Sequence, residues 1–436
     1  MRPACWLRVA LACALAPVVA AGQAPSSRTD ALVAAVQQRD ESRVAALIAA
    51  GADVNASRGD GSTALAWAAH RNDTAVAARL LQAGAEPNVS DENGDTPLLL
   101  ASAHGNVELA SMLIAAGADL GATRWSGDTP LLAAATGGSV ELVRLLLDRG
   151  ADPDVADARA AQTPLMRAIA GGHSETARLL IGRGADLNAV SAGGYSPLLL
   201  AAEQGDAGTA RALIEAGADP GFAAPDGSTA FLIAIAQGSD AVARLMLVHG
   251  ADVHRRDRNG ATPLHAAVQQ GSVALARDLV GRGADLDART LGGGGRGGPG
   301  RRGAGLTPFL IAAQTGRVEM MQALLDLGAD PAARTPDGSG AVLLATSSRN
   351  LEAVRLVVSL GLDVNVHPEG RSSALHTAIR FGADDLVEVL AAHGADFDAR
   401  DTFGRTPLEE AEFEAPGHTI ELVRRLVAER ERQAPR

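Results

Sequence analysis

Eleven times the chain writes a glycine, a small or apolar residue and an acid, with the glycines at Gly51, Gly84, Gly117, Gly150, Gly184, Gly217, Gly250, Gly283, Gly328, Gly361 and Gly394. Eight of the ten intervals are 33 residues, one is 34 and one is 45. A period this regular specifies a stack of like supersecondary units, because no single core would demand the same punctuation at the same spacing over 436 residues.

One period shows what each unit must be. Between Asp95 and Asp119, Thr96 is an N-cap whose hydroxyl can accept from orphan amides of the first turn, and Pro97 takes the first helical position. Leu98, Ala101 and Ser102 follow at helical spacing, and Gly105 ends the short helix in a left-handed conformation. A second helix is predicted over Val107 to Ala116, with Leu109, Met112 and Leu113 on one face, stopping at Gly117. A turn-rich stretch from Ala118 to Gly127 leads to the next Asp128-Thr129-Pro130. Each unit is a helix, a tight turn, an antiparallel helix and a projecting loop, and its apolar face is buried only by its neighbours.

The run Thr262-Pro263-Leu264-His265-Ala266-Ala267, with Gly271, Leu279-Val280 and Gly283-Ala284-Asp285 behind it, resembles the ankyrin repeat. Related versions start at Thr63, Thr96, Thr129, Thr163, Ser196, Thr229, Thr307, Ser373 and Thr406, so the resemblance covers the chain from Thr29 to its end. It implies an all-α ankyrin-repeat solenoid of about twelve helix-turn-helix units, with inner helices lining a concave groove and finger loops along one edge. It also implies protein recognition without catalysis.

Several places depart from the pattern. Residues 29–52 lack the Pro-Leu-His core and are rich in Gln, Arg and Asp, as an N-terminal capping unit should be. The tenth unit has Gly340-Ala341 in place of Thr-Pro, and Arg349-Asn350 in place of the capping glycine, so a weak stack is expected there. The last unit, 404–436, gains residues around Ala415-Pro416 and carries an outer helix from about Ile420 to Arg430 with a charged end, a C-terminal cap. The family histidine stands only at His265 and His376, which puts the loop-tethering bond implied for it in doubt elsewhere. The long interval holds a Gly-rich insertion, 291–305, with Arg296, Arg301 and Arg302 among glycines. It lies in the finger loop between the eighth and ninth units and reads as a passive insertion. A phosphate loop needs a lysine, and the sequence contains none: all 39 cations are arginine.

Composition narrows the function. The net charge is −12, with no basic stripe, which disfavours nucleic acid as a partner. Residues 1–22 read as an export signal: Arg2 and Arg8, an apolar run from Val9 to Val19, and the small-residue site Val19-Ala20-Ala21. Residues 23–28 form a short linker to the repeat domain, 29–436. Both cysteines, Cys5 and Cys13, fall inside the signal, so the mature chain has no thiol for a disulfide, a nucleophile or a metal; a lipid anchor at Cys13 is the rival reading. No later run is long and apolar enough to span a bilayer. Pairs such as Asp53-Val54-Asn55 and Asp285-Leu286-Asp287 suit turn and capping duty better than calcium, which needs five or more converging oxygens. The expectation is therefore no metal, no cofactor, no catalytic residues and a monomeric chain.

Alignment of the units marks an inner-helix position facing the groove: Trp67, Leu100, Ala133, Arg167, Leu200, Ile233, Ala266, Ile311, Leu344, Thr377 and Glu410. Four residues on, His104, Gln204, Gln237 and Gln270 form a polar row. Contact area beside adaptable hydrogen-bonding groups suits a protein-binding groove, although the apolar members could instead pack between inner helices. Trp67 on this row, and Trp125 at a finger tip beside Arg124, have the character of interface anchors, since the core positions want small aliphatics. Arg255 and Arg256 mark a second finger candidate or a solvated loop. The expected function is that of a scaffold or regulator binding another protein in the periplasm or outside the cell. The alternatives are a secreted effector acting on proteins of another cell and, less favoured, an enzyme or small-ligand binder.

Overall fold

The computed structural model describes residues 28–257, 259–291, 305–368 and 372–433. The proposed export signal, Cys13 and the interior of the Gly-rich insertion lie outside them. Among the described residues there are 24 helices, paired as twelve inner and outer helices, and no strand beyond isolated bridge residues, the antiparallel pair Ala223 and Thr229 among them. The chain forms two compact units, Met1–Arg159 and Ala160–Arg436. Four helix pairs belong to the first and eight to the second.

Local chemistry sets each helix. In the pair Pro97–Ala103 and Val107–Ala115, Thr96 Oγ1 accepts from the Leu99 N–H at 3.3 Å and Asn106 Oδ1 from the Leu109 N–H at 2.9 Å. Gly105 and Gly117 take φ of 66° and 90°, the left-handed region in which a side chain is strained. The outer helix is buried through Leu109, Ala110 and Leu113 and the inner one through Leu98, Leu99, Ala101 and Ser102. The alanines let inner helices approach closely, while the leucines fill the seam behind them. A fully buried leucine contributes roughly 1.5–3 kcal/mol against about 1 kcal/mol for an N-cap, so stacking rather than capping carries the stability.

Within each unit a second set of bonds ties some loops to the next. Asn88 donates from Nδ2 to the Gly117 carbonyl (2.9 Å) and accepts at Oδ1 from the Asp119 N–H (2.8 Å), one period away. Asn55 makes the same bridge to Gly84 and Glu86, and in the second unit Asn365 makes it to Gly394 and Asp396. Asp53 Oδ1 accepts from the Asn55 N–H at 3.0 Å, so the alternating oxygens work in turns. Successive finger tips share one backbone bond each, Glu92 N–H to the Asp60 carbonyl and Trp125 N–H to the Asn93 carbonyl, both at 3.0 Å. The fingers touch so closely that a Cβ on Gly127 would lie 2.5 Å from the Ala158 nitrogen.

The family histidines act as the resemblance implies. The Thr262 N–H donates to His265 Nδ1 at 3.1 Å, and Nε2 faces the Leu306 carbonyl at 3.1 Å. His376 joins the Ser373 hydroxyl (2.8 Å) to the Arg405 carbonyl (3.0 Å). A carbonyl only accepts, so each ring carries a proton on Nε2, and the Thr262 N–H leaves Nδ1 of His265 without one, so that ring is neutral. Burial pushes both imidazoles below their ordinary value, against the opposing pull of those carbonyls.

The tenth unit carries the irregularities read from its sequence. Helix Ala341–Ser347 has no side-chain N-cap at Gly340, and Arg349 itself adopts φ of 60°. The gaps are compensated: Asn350 caps the outer helix Leu351–Ser359 and donates to the Gly316 carbonyl at 2.8 Å, while the Arg349 guanidinium lies 3.9 Å from the Phe381 ring centre. The last outer helix runs Gly417–Gln433, starting earlier than expected, because His418 Nδ1 and the Thr419 hydroxyl both bond the Asp384 carboxylate.

The ends of the insertion are pinned together. The Thr290 N–H donates to the Leu306 carbonyl (3.1 Å) and the Gly305 N–H to the Thr290 carbonyl (2.7 Å).

Two outcomes follow. Asn88→Ala, which leaves a carbonyl and an N–H of the next loop without their partner, should cost about 1 kcal/mol in denaturant unfolding, with Asn55→Ala similar. For His265, a folded pKa below the ordinary 6.5 means the unfolded chain binds the proton more tightly. Its stabilising contribution is thus present above pH 6.5 and lost as pH falls from there toward the folded value. Melting curves between pH 7.5 and 5 should show that loss in the parent and a shallower one in His265→Gln.

Candidate functional site

In the first unit, the groove position is built on helix Ala64–His70. Trp67 is half-buried there. Its indole N–H donates to the Ser62 hydroxyl at 2.9 Å, and that hydroxyl donates to Asp60 Oδ1 at 2.6 Å. The Ser62 bond holds the Asp60 carboxyl below its usual range despite partial burial. A charged carboxylate therefore orients a hydroxyl, which orients the indole. Trp67 is thus anchored at its nitrogen and half-covered, with part of its surface open.

One turn further on, His70 places its ring 5.5 Å from the indole, nearly perpendicular. The His104 ring from the next pair is 6.3 Å from His70, again edge-on, and its Nε2 lies 2.9 Å from the His70 carbonyl. Desolvation and the neighbouring His104 lower the His70 pKa, so this imidazole is neutral at pH 7. Leu100 and Ala133, also half-buried, extend the row. Beneath the fingers, burial raises the Asp95 pKa although Arg124 Nε stands 3.6 Å away, with Asp128 on its other side at 3.5 Å.

Trp125 is 65% exposed at the finger tip, with the Arg159 guanidinium 4.5 Å from its ring centre.

In the second unit the groove row divides. Arg167, Ile233, Ala266, Leu344 and Thr377 are half-buried, whereas Leu200 and Ile311 are only 8% and 3% exposed and serve inner-helix packing. Glu410 is fully buried between arginines, 3.0 Å from Arg380 and 2.8 Å from Arg405. Leu200 thus leaves the candidate surface. A buried carboxylate held by two guanidinium groups is a packing device, strongly destabilising to break.

The polar row also divides. Gln204 and Gln237 are exposed and make no side-chain hydrogen bond among the described residues. Gln270 donates to the Ala236 carbonyl at 2.7 Å, capping the neighbouring helix end as His104 does. Arg255 donates to the Gly227 carbonyl (3.1 Å), and Arg256 to those of Gly260 (3.2 Å) and Arg289 (2.9 Å). These two arginines staple fingers together.

Three features escaped the sequence reading. His70 could have been found from its i,i+3 spacing to Trp67, and Arg159 from its lying one period beyond Trp125. Phe403 and Phe413, 78% and 71% exposed, flank the Arg405 guanidinium at 4.7 and 4.6 Å. Phe413 carried no signal, since the last unit departs from the common length.

Comparison with known families matches ankyrin repeats (3 copies) over residues 32–124, 121–191 and 198–290, a single ankyrin repeat over 304–336, and ankyrin repeats (many copies) over 357–411. Among curated proteins, the ARF GTPase-activating protein GIT2 of Mus musculus is 39% identical over 79 residues, 18% of this chain and 11% of that protein. The GIT2 of Rattus norvegicus is 42% identical over 79 residues, and the GIT1 of Homo sapiens 40%, each match covering 10% of the relative. The chain thus spans about a tenth of the length of these relatives.

Because Arg256 serves the stack, Arg256→Gln should lower unfolding stability by about 0.5–1 kcal/mol, the net worth of an ordinary hydrogen bond or two. Arg144→Gln, an exposed position on an outer helix, is the control and should leave the denaturant midpoint unchanged.

Proposed function

We propose, since this chain belongs to the ankyrin repeat family, that it is a non-catalytic scaffold or regulator recognising another protein through the inner rows and finger tips of its two units. The observation that carries this reading is a division of labour along each repeat. Caps, turns and seam leucines repeat and spend their bonding within the stack. The half-buried inner row reads Trp67, Leu100 and Ala133 in one unit, and Arg167, Ile233, Ala266, Leu344 and Thr377 in the other. It changes from repeat to repeat, which packing alone does not require, and offers apolar area beside the exposed amides of Gln204 and Gln237. Export, supported by the charge and hydropathy pattern of residues 1–22, would put the partner in the periplasm or outside the cell.

Site-specific photocrosslinking tests the reading. A benzophenone amino acid at Leu100 or Ile233 should trap a discrete partner in the exporting cell, while the same group at Glu108 or Glu175, exposed on outer helices, should not. Adducts from the outer positions alone, or equally from all four, would overturn it.

A further inference from the structure

The chain itself shows what its uncovered aromatic rings accept. Seven described aromatic rings are half-buried or exposed, and four of them, Trp125, Phe381, Phe403 and Phe413, carry an arginine guanidinium within 5 Å. The pairing has a physical basis: a guanidinium is weakly hydrated, planar and drawn to the negative face of a ring, and indole is the strongest acceptor. Trp67, like Tyr195 and Phe222, has no such cation among the described residues; its ring neighbour is His70, 5.5 Å away and nearly perpendicular. Its indole is nonetheless the most deliberately held of all, through Ser62 and Asp60.

We propose that the inner face at Trp67, His70 and His104 receives an arginine side chain presented by a partner protein. This rests on the scaffold reading above and names the chemistry of its partner. Charge points the same way. Residues 28–159 hold eighteen acidic side chains against ten arginines, a net −8, which draws a cationic segment toward the unit. Two cations stand near this face: Arg71 is the C-cap residue of helix Ala64–His70 and its charge lowers the His70 pKa, and the Arg39 guanidinium donates to the Arg71 carbonyl at 3.1 Å. Asp60 and Asp95 lie on the finger side. Leu100, next on the row, provides apolar contact for the residues flanking the arginine.

The test uses the full chain and twelve-residue Gly-Ser peptides carrying two arginines, or lysine, citrulline or glutamate in their place. Binding is read from the indole N–H resonance of Trp67. The arginine peptide should shift it saturably at 0.15 M salt, the lysine peptide more weakly, and the citrulline and glutamate peptides not at all. In Trp67→Ala, followed by fluorescence anisotropy of labelled peptide, affinity should fall about fivefold, the worth of a half-exposed cation–π contact. Trp125→Ala should stay within about twofold of the parent, by the same scale. If Trp67→Ala unfolds the first unit, Trp67→Leu keeps the apolar volume without the ring and should show the same loss. Equal binding of arginine and citrulline peptides, an unchanged affinity in Trp67→Leu, or no response to any peptide would overturn the proposal. So would a Zn2+ titration that moves the His70 and His104 resonances when no peptide does. Crosslinking from Ile233 without any arginine-peptide response would remove this inference while the scaffold reading stands.

Discussion

A helix pair of seven and nine residues cannot bury its own apolar stripe, and everything else in these units answers to that constraint. Isolated helices this short are marginal in water, so each forms only with another pair against it. The outer seam of Leu109, Ala110 and Leu113 is fully enclosed, and the helices of the pairs before and after pack against this one. Stability within a unit is therefore a sum over neighbours, and a fault in one repeat is felt chiefly by the two that flank it.

The same constraint explains why so much side-chain chemistry runs one period along the chain. Asn55 and Asn88 bridge loops, His265 and His376 bridge an inner helix to the following finger, and Arg256 and Arg289 bridge finger to finger. None of these bonds is strong singly. Together they fix the register between repeats, which apolar contact, being non-directional, leaves loosely defined.

Architecture was legible because its signals are local. Threonine before proline, a left-handed glycine and leucines three and four apart each act within one turn of helix, and the structure follows them in unit after unit. The fate of polar side chains was not legible, because it depends on distances across a period. Nothing in the string Arg255-Arg256 says that a carbonyl waits 33 residues on at Arg289, and nothing in the row ending at Glu410 says that Arg380 and Arg405 close over it. Trp67 sits between these cases. Its place on the inner row was evident from alignment, whereas its anchoring by Ser62 depends on how the finger folds back on the helix.

The neck formed by Thr290 with Gly305 and Leu306 has an evolutionary consequence. Once the two ends of a loop are clasped, the cost of what lies between them grows only with the logarithm of its length, about 0.6 kcal/mol per doubling. The repeats on either side see the same clasp whatever the chain carries beyond it. This makes the position a port at which sequence can be gained, lost or exchanged without retuning the stack, so new contacts could be tried there while the inner rows kept the old ones.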